Sequence, residues 1–250
     1  FPDDQKLKLI STIEEKTLAL EKTGLQNLII HEFTVDFSRL KSVNFIRDFL
    51  VNKLNMKHMV VGYDHHFGKN REGTFENLLA LSELYDFKLH KIEPQNVDEV
   101  TISSTKIRNA IAEGDIEKAN SYLCCDFAIN GKVEKGNKIG NSIGFPTANI
   151  KVVNNWKLLP KDGVYAVKVF IEHQQFYGML NIGVRPTIKD DSHIIEVHIF
   201  DFNKDIYNQN IKIEFSERIR GEKKFENLDA LKKQLQIDES KCKKIFNLLS

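Results

Sequence analysis

A chain of 250 residues with 41% hydrophobic and 28% charged content has the composition of a soluble globular protein, long enough to bury one large or two ordinary cores. Its 36 basic and 35 acidic side chains leave a formal charge of +1, split as −3 over residues 1–125 and +4 over 126–250. Neither half carries the basic excess that binding nucleic acid through its phosphates requires. No apolar run approaches the roughly 18 residues of a membrane span. The three cysteines, Cys124, Cys125 and Cys242, include an adjacent pair unsuited to an ordinary disulfide, so a reduced, cytoplasmic compartment is expected. The chain opens at Phe1 without an initiator Met or a charged-then-apolar leader, and reads as a fragment or processed polypeptide, not a secreted precursor.

Helix and strand signals alternate from residue 5 to 123. Thr12-x-x-Glu15 is a capping-box pattern whose helix should stop near Gly24. Leu28-Ile29-Ile30 reads as a short apolar strand. Ser42 is expected to cap a helix carrying Phe45, Ile46, Phe49 and Leu50. Met59-Val60-Val61 reads as a second strand ending at Gly62, Thr74 as the start of a helix, and Phe87 to Ile92 as a third strand. Continuous apolar strands between helices predict a parallel sheet covered on both faces. Ligands of such sheets bind beyond the carboxyl ends of the strands, which places Gly62 to Gly73 and Ile102 to Arg108 at the mouth.

After Asp126 the hydrophobic period becomes two. Strands are predicted at 128–134, 164–172, 175–182, 193–201 and 210–216, which suggests an antiparallel barrel or sandwich. Helical spacing returns at Leu228, Leu231 and Leu235, then Cys242, Ile245 and Phe246, in a segment expected to pack on the barrel. The change of period sets a boundary near 123–127, giving domains 1–123 and 127–250.

Gly131 to Gly144, followed by Phe145-Pro146-Thr147-Ala148-Asn149, holds the densest chemistry. Gly131, Gly136, Gly140 and Gly144 let backbone N–H groups approach an anion. Lys132 and Lys138 supply charge, and the Thr147 hydroxyl with the Asn149 carbonyl supplies oxygen ligands for a hard cation. That is a kit for a Mg²⁺–nucleotide phosphate site, although no Ser or Thr follows Lys138 as a Walker A loop demands. Strand alternation puts Glu196 and His198 opposite Ile195, Val197 and Ile199; Glu196 is either a solvated strand residue or a positioned base, and periodicity does not choose. Ser103 or Ser104 can cap the helix of Ile107 and Ile111, and that helix start, with Thr105 and Arg108, suits phosphate or is a plain N-cap. His65-His66 lacks partners at metal-ligand spacing.

Gly144 to Asn149, Asn181 to Thr187, Glu196 to Phe202 and Arg220 to Phe225 resemble, in order, the successive signatures of riboflavin kinase. Val61 to Arg71 and Ile102 to Arg108 resemble the adenylyltransferase half of the bacterial bifunctional riboflavin kinase/FAD synthetase. The resemblance implies an α/β plus β architecture: a truncated Rossmann-like nucleotidyltransferase domain, then a six-stranded Greek-key riboflavin kinase barrel with a C-terminal helix. It implies that ATP phosphorylates riboflavin to FMN, with FMN adenylylated to FAD in a full-length parent. Thr147 and Asn149 would hold Mg²⁺ and the ATP phosphates under the glycine run, Glu196 would be the base, and Arg220, Glu222 and Phe225 would face the flavin. Gly62, Asp64, Phe67, Ser103, Ser104, Thr105 and Arg108 would serve the adenylyltransferase nucleotide. A non-catalytic flavin or nucleotide carrier is the alternative.

Departures qualify the resemblance. The 250 residues contain no Gly-x-Phe-Asp-Gly-x-His element, on which the family's adenylyl transfer relies, so that activity is expected to be impaired in this chain. Asn141 stands where the family often has Arg or Lys, and Cys124 where it often has Gly.

Overall fold

The computed structural model describes residues 8–62, 66, 68, 73–94, 96, 97, 100–136, 140, 143–184 and 193–248. The helices are α1 (Ile13–Glu21), α2 (Val35–Ser38), α3 (Ser42–Asn44), α4 (Phe75–Leu84), α5 (Ser104–Glu113), α6 (Ile116–Leu123) and α7 (Leu228–Ile245), and a π-helix spans Phe45–Val51. The strands are β1 (His58–Gly62), β2 (Lys88–Ile92), β3 (Asn96–Val97), β4 (Val100–Thr101), β5 (Ala128–Glu134), β6 (Ala148–Val152), β7 (Gly163–Ile171), β8 (Gln174–Val184), β9 (His193–Ile199) and β10 (Asn210–Arg220). Contacts divide the chain into two compact units: residues up to Lys22 together with those from Ser103 onward, and Thr23–Ile102.

In the unit Thr23–Ile102, β1 and β2 pair in parallel, as predicted, with Val61 opposite Lys91 and Gly62 opposite Ile92. Thr74 caps α4 by accepting from the Asn77 N–H. Ile46, Val61, Leu78, Leu81 and Phe87 form the core. Three expectations fail here. Leu28-Ile29-Ile30 is not a strand; all three residues are exposed, and neither two-stranded sheet of the described residues includes them. Among the described residues the sheet is covered on one face only, because His58, Val60 and His90 on the other face are exposed. Ser42 is not the cap: the N-cap is Lys41, Ser42 lies buried as the first helical residue, and the helix widens at once to π geometry. Stacked Phe45 and Phe49, with Phe37 edge-on to both, accompany that widening.

The other unit is built on a closed barrel in the order β10-β5-β6-β9-β8-β7. The five strands read from alternation are present, the one at 128–134 with the expected bounds and the other four with shifted ends; β6 was missed, because Pro146 and two asparagines obscure its short alternation. Interior positions fill with apolar side chains: Ile129, Val133, Tyr165, Val167, Val169, Leu180, Val197, Ile213 and Phe215 are almost fully buried. Burial of each such side chain contributes about 1.5–3 kcal/mol by transfer. Outside, α7 covers a second cluster around Phe145, Val164, Ala166, Met179 and Cys242, so the C-terminal segment packs on the barrel as expected.

Residues 8–22 join this unit through specific bonds. The Thr12–Glu15 capping box is complete. Glu15 also accepts from the buried Lys157 ammonium at 2.6 Å and from Asn130 at 3.2 Å. Burial lowers the Lys157 pKa and Glu15 opposes that shift, while the ammonium lies 4.4 Å from the Phe127 ring centre. Cys124 ends α6 in the left-handed region at φ 54, a conformation that favours glycine.

Candidate functional site

Antiparallel register decides which polar side chains share a surface. Directly paired residues point to the same face of the sheet. Asn149 on β6 pairs with Glu196 on β9, and Glu196 pairs with Asn181 on β8. Asn181 pairs with Val164 on β7, which pairs with Arg220 on β10. One row therefore runs Asn149, Glu196, Asn181, Val164, Arg220 across five strands on the outer face. Asn181 was not singled out as a site residue from the sequence; its place beside Glu196 is a property of register.

Two bulges bring Arg220 into the row. β10 slips against β7 between Phe215 and Glu217, and again between Arg218 and Arg220. Each slip reverses the side toward which following residues point. Arg218 thus pairs with the interior Tyr165, whereas Arg220 pairs with Val164 on the outer face. There the Arg220 Nε donates to both oxygens of Asp238 at 3.2 and 2.9 Å, and Nη2 lies 2.8 Å from Oδ2. The guanidinium lies 5.8 Å from the centre of the Phe225 ring, and Lys223 approaches the same ring at 5.9 Å.

A cavity of about 290 Å³ opens over this row. Asn181, Glu196, His198 and Arg220 line it from the strands, and Glu222 and Phe225 from the segment that follows β10. Apolar Val164, Met179, Leu231 and Leu235 complete its wall. A second cavity of about 400 Å³ lies among Val133, Pro146, Ala148 and the segment Phe202 to Tyr207. Thr147 lines both cavities. Two cavities that share Thr147 in their walls suit a reaction between two substrates.

The glycine run divides by position. Gly131 is buried in β5 beneath Ile150, whose side chain takes the space of a Cβ, and Lys132 beside it is exposed and in register with Lys151 and Asn210. Gly136 lies against the Asn149 amide so closely that a Cβ would overlap it. The Gly140 carbonyl accepts from the Phe145 N–H at 2.8 Å, with no room there for a Cβ, and a Cβ would stand 3.4 Å from the Thr147 hydroxyl. Gly144 has φ +87 and open space around it. His198 bonds the Pro146 carbonyl at 2.7 Å and packs edge-on to Phe145, fixing the Pro-Thr-Ala-Asn segment to β9. Lys138 and Asn141 lie outside the described residues. The donor chemistry fits a hard divalent cation: a Thr hydroxyl and an Asn carbonyl oxygen, with Thr147 at the wall of both cavities.

The residues matched to the adenylyltransferase are less informative. Gly62 ends β1, and Asp64 and Phe67 lie outside the described residues. The Ser103 hydroxyl accepts from the Lys106 N–H at 3.3 Å, an ordinary N-cap, with Ser104 and Thr105 exposed in the first turn of α5. Arg108 Nε donates to the Lys8 carbonyl at 3.2 Å.

Two family models match the chain: riboflavin kinase over residues 123–246 and FAD synthetase over 1–106. A bifunctional riboflavin kinase/FMN adenylyltransferase of Haemophilus influenzae is 39% identical over 236 residues, covering 94% of this chain and 76% of the relative. Proteins of the same name from Listeria monocytogenes and Escherichia coli are 37% and 35% identical, covering 97% and 99% of this chain and 76% and 79% of theirs. A Streptococcus pneumoniae crystal structure described as a macrolide-efflux protein superposes with a TM-score of 0.85 at 33% identity, over 92% of this chain and 74% of that one. Among the described residues of this chain, no helix is long and apolar enough to cross a membrane.

Proposed function

The chain belongs to the bifunctional riboflavin kinase/FMN adenylyltransferase family, and we propose that its barrel carries the kinase reaction, from riboflavin and ATP to FMN and ADP, at the cavity over Glu196. The observation that carries this reading is the register row. A carboxylate stands between two amides on rigid strands, in one cavity with a paired arginine, and Thr147 lines both that cavity and a second one. A flavin carrier that does not turn over would gain nothing from a carboxylate so placed.

Phosphoryl transfer asks the protein for alignment and charge neutralisation more than for covalent help. In the proposed arrangement the isoalloxazine ring lies against Val164, Met179, Leu231 and Leu235, with Arg220, Glu222 and Phe225 at its rim. Its ribityl chain runs toward Glu196. The terminal hydroxyl loses its proton to the Glu196 carboxylate as its oxygen attacks the γ-phosphorus, and ADP leaves. Asn149 and Asn181 flank Glu196 from the two neighbouring strands. The second cavity, with Val133, Ile206 and Tyr207, takes the nucleotide base. Thr147 and Asn149 are the residues that would hold Mg²⁺, whose chemistry is to neutralise the phosphate oxygens. Gly136 and Gly140 admit backbone close to the same atoms.

The kinase domain in this reading is 127–250 and the adenylyltransferase domain 1–123, in a cytoplasmic enzyme. Incubation with riboflavin, ATP and Mg²⁺ followed by chromatography tests the proposal. FMN accumulating with turnover is expected. A folded sample that binds riboflavin stoichiometrically but forms no FMN would restore the carrier reading.

A further inference from the structure

We propose that Asp238 on α7, steadied by Gln234, is the positioning residue that orients Arg220 for the flavin substrate. The proposal rests on the kinase reading of the cavity and adds to it a residue three turns along a helix that no sequence signature marks.

Asp238 has no exposed surface, and its carboxylate is matched by the arginine on one side and an amide on the other. Nε of Arg220 donates to both oxygens, Nη2 lies 2.8 Å from Oδ2, and Gln234 Nε2 donates to Oδ1 at 2.9 Å. Arg220 Nη1 donates to the Gly221 carbonyl at 2.9 Å. A guanidinium has five N–H groups in one plane, so contacts on one edge fix the direction of all the others. Held in this way, Arg220 reaches the cavity with its plane already set and with N–H groups to spare.

An arginine without that carboxylate would have a long side chain's rotamers to lose on binding substrate. Supplying the orientation in advance lowers the cost of binding. The same helix contributes Leu231 and Leu235 to the cavity wall, so the carboxylate and the apolar wall arrive together when α7 packs. The anchor therefore acts on the flavin side of the site. On the nucleotide side, Asn149 lies on β6 and Gly136 just beyond β5, on elements other than α7 and β10.

Steady-state kinetics on the full chain separates this role from a merely structural one. Asp238→Asn is expected to raise the riboflavin KM about tenfold or more, because small misplacements of a positioning group carry such costs, while the ATP KM stays within about twofold. In an Arg220→Gln background the same substitution should change the riboflavin KM no further, since Asp238 acts through Arg220. Gln234→Met removes only the amide contact and keeps the ion pair; a smaller rise in riboflavin KM at unchanged ATP KM is expected, and this variant decides the matter should Asp238→Asn not fold. An unchanged riboflavin KM in the folded variants, or equal losses for both substrates, would overturn the proposal while wild-type FMN formation left the kinase reading standing. Absence of wild-type turnover would instead remove the kinase reading itself.

Discussion

Asn149 and Glu196 are direct cross-strand partners on β6 and β9. Such partners hold their Cβ atoms about 4.5–5.5 Å apart. The proposed base and a proposed cation ligand are thus fixed to each other by backbone hydrogen bonding, not by loops. Register also places Asn181 on the far side of Glu196.

Gly136→Ala tests the nucleotide side. A Cβ at 136 would overlap the Asn149 amide. Either the loop or the amide must move, and displacement by about 1 Å can cost around 10²-fold in rate. Kinase activity is expected to fall by roughly that order with the melting temperature nearly unchanged, as Gly136 lies outside the strands. Unaltered kinetics would show that Asn149 is not needed where it stands.

Cys242 gives a pH dependence with a definite sign. Burial, then the charges of Asp238, Glu217 and Glu239, push its thiol up from an ordinary 9.0 to about 12. Its contribution to stability is complete below pH 9. Between about pH 9 and 12 the unfolded chain releases this proton while the folded chain keeps it, so stability falls by ~1.4 kcal/mol per pH unit. Cys242→Ala should remove that share of the alkaline slope in urea titrations across the same range. A slope unchanged by the substitution would show that the thiol does not stay protonated. In the native state at neutral pH, a thiol reagent should modify the exposed Cys124 and Cys125 and spare Cys242.

The barrel was legible because period-two alternation survives in long strands. It faded where strands are short or bulged: β6 alternates over five residues behind Pro146, and β10 runs past the expected end at 216 through its bulges to Arg220. Leu28-Ile29-Ile30 shows the opposite failure, since an apolar run satisfies the local pattern whether or not another strand is there to pair with it. The glycine-rich loop, Thr147 and Glu196 were legible as residue types. Their assembly was not, because Asn181, Asp238 and the Lys157–Glu15 pair depend on register and on contacts between residues far apart in sequence. Period does carry one part of that assembly: it put Glu196 on the face opposite Val197, where the structure has it.

Glu196→Gln tests the account most directly, because it keeps the side chain's size and shape while removing its charge and its capacity to take a proton. At saturating riboflavin and Mg²⁺–ATP, kcat for FMN formation is expected to fall by ~10² or more, the lower end for a lost general base, with both KM values little changed. A kcat near that of the wild type would contradict the account and return Glu196 to a solvated strand face.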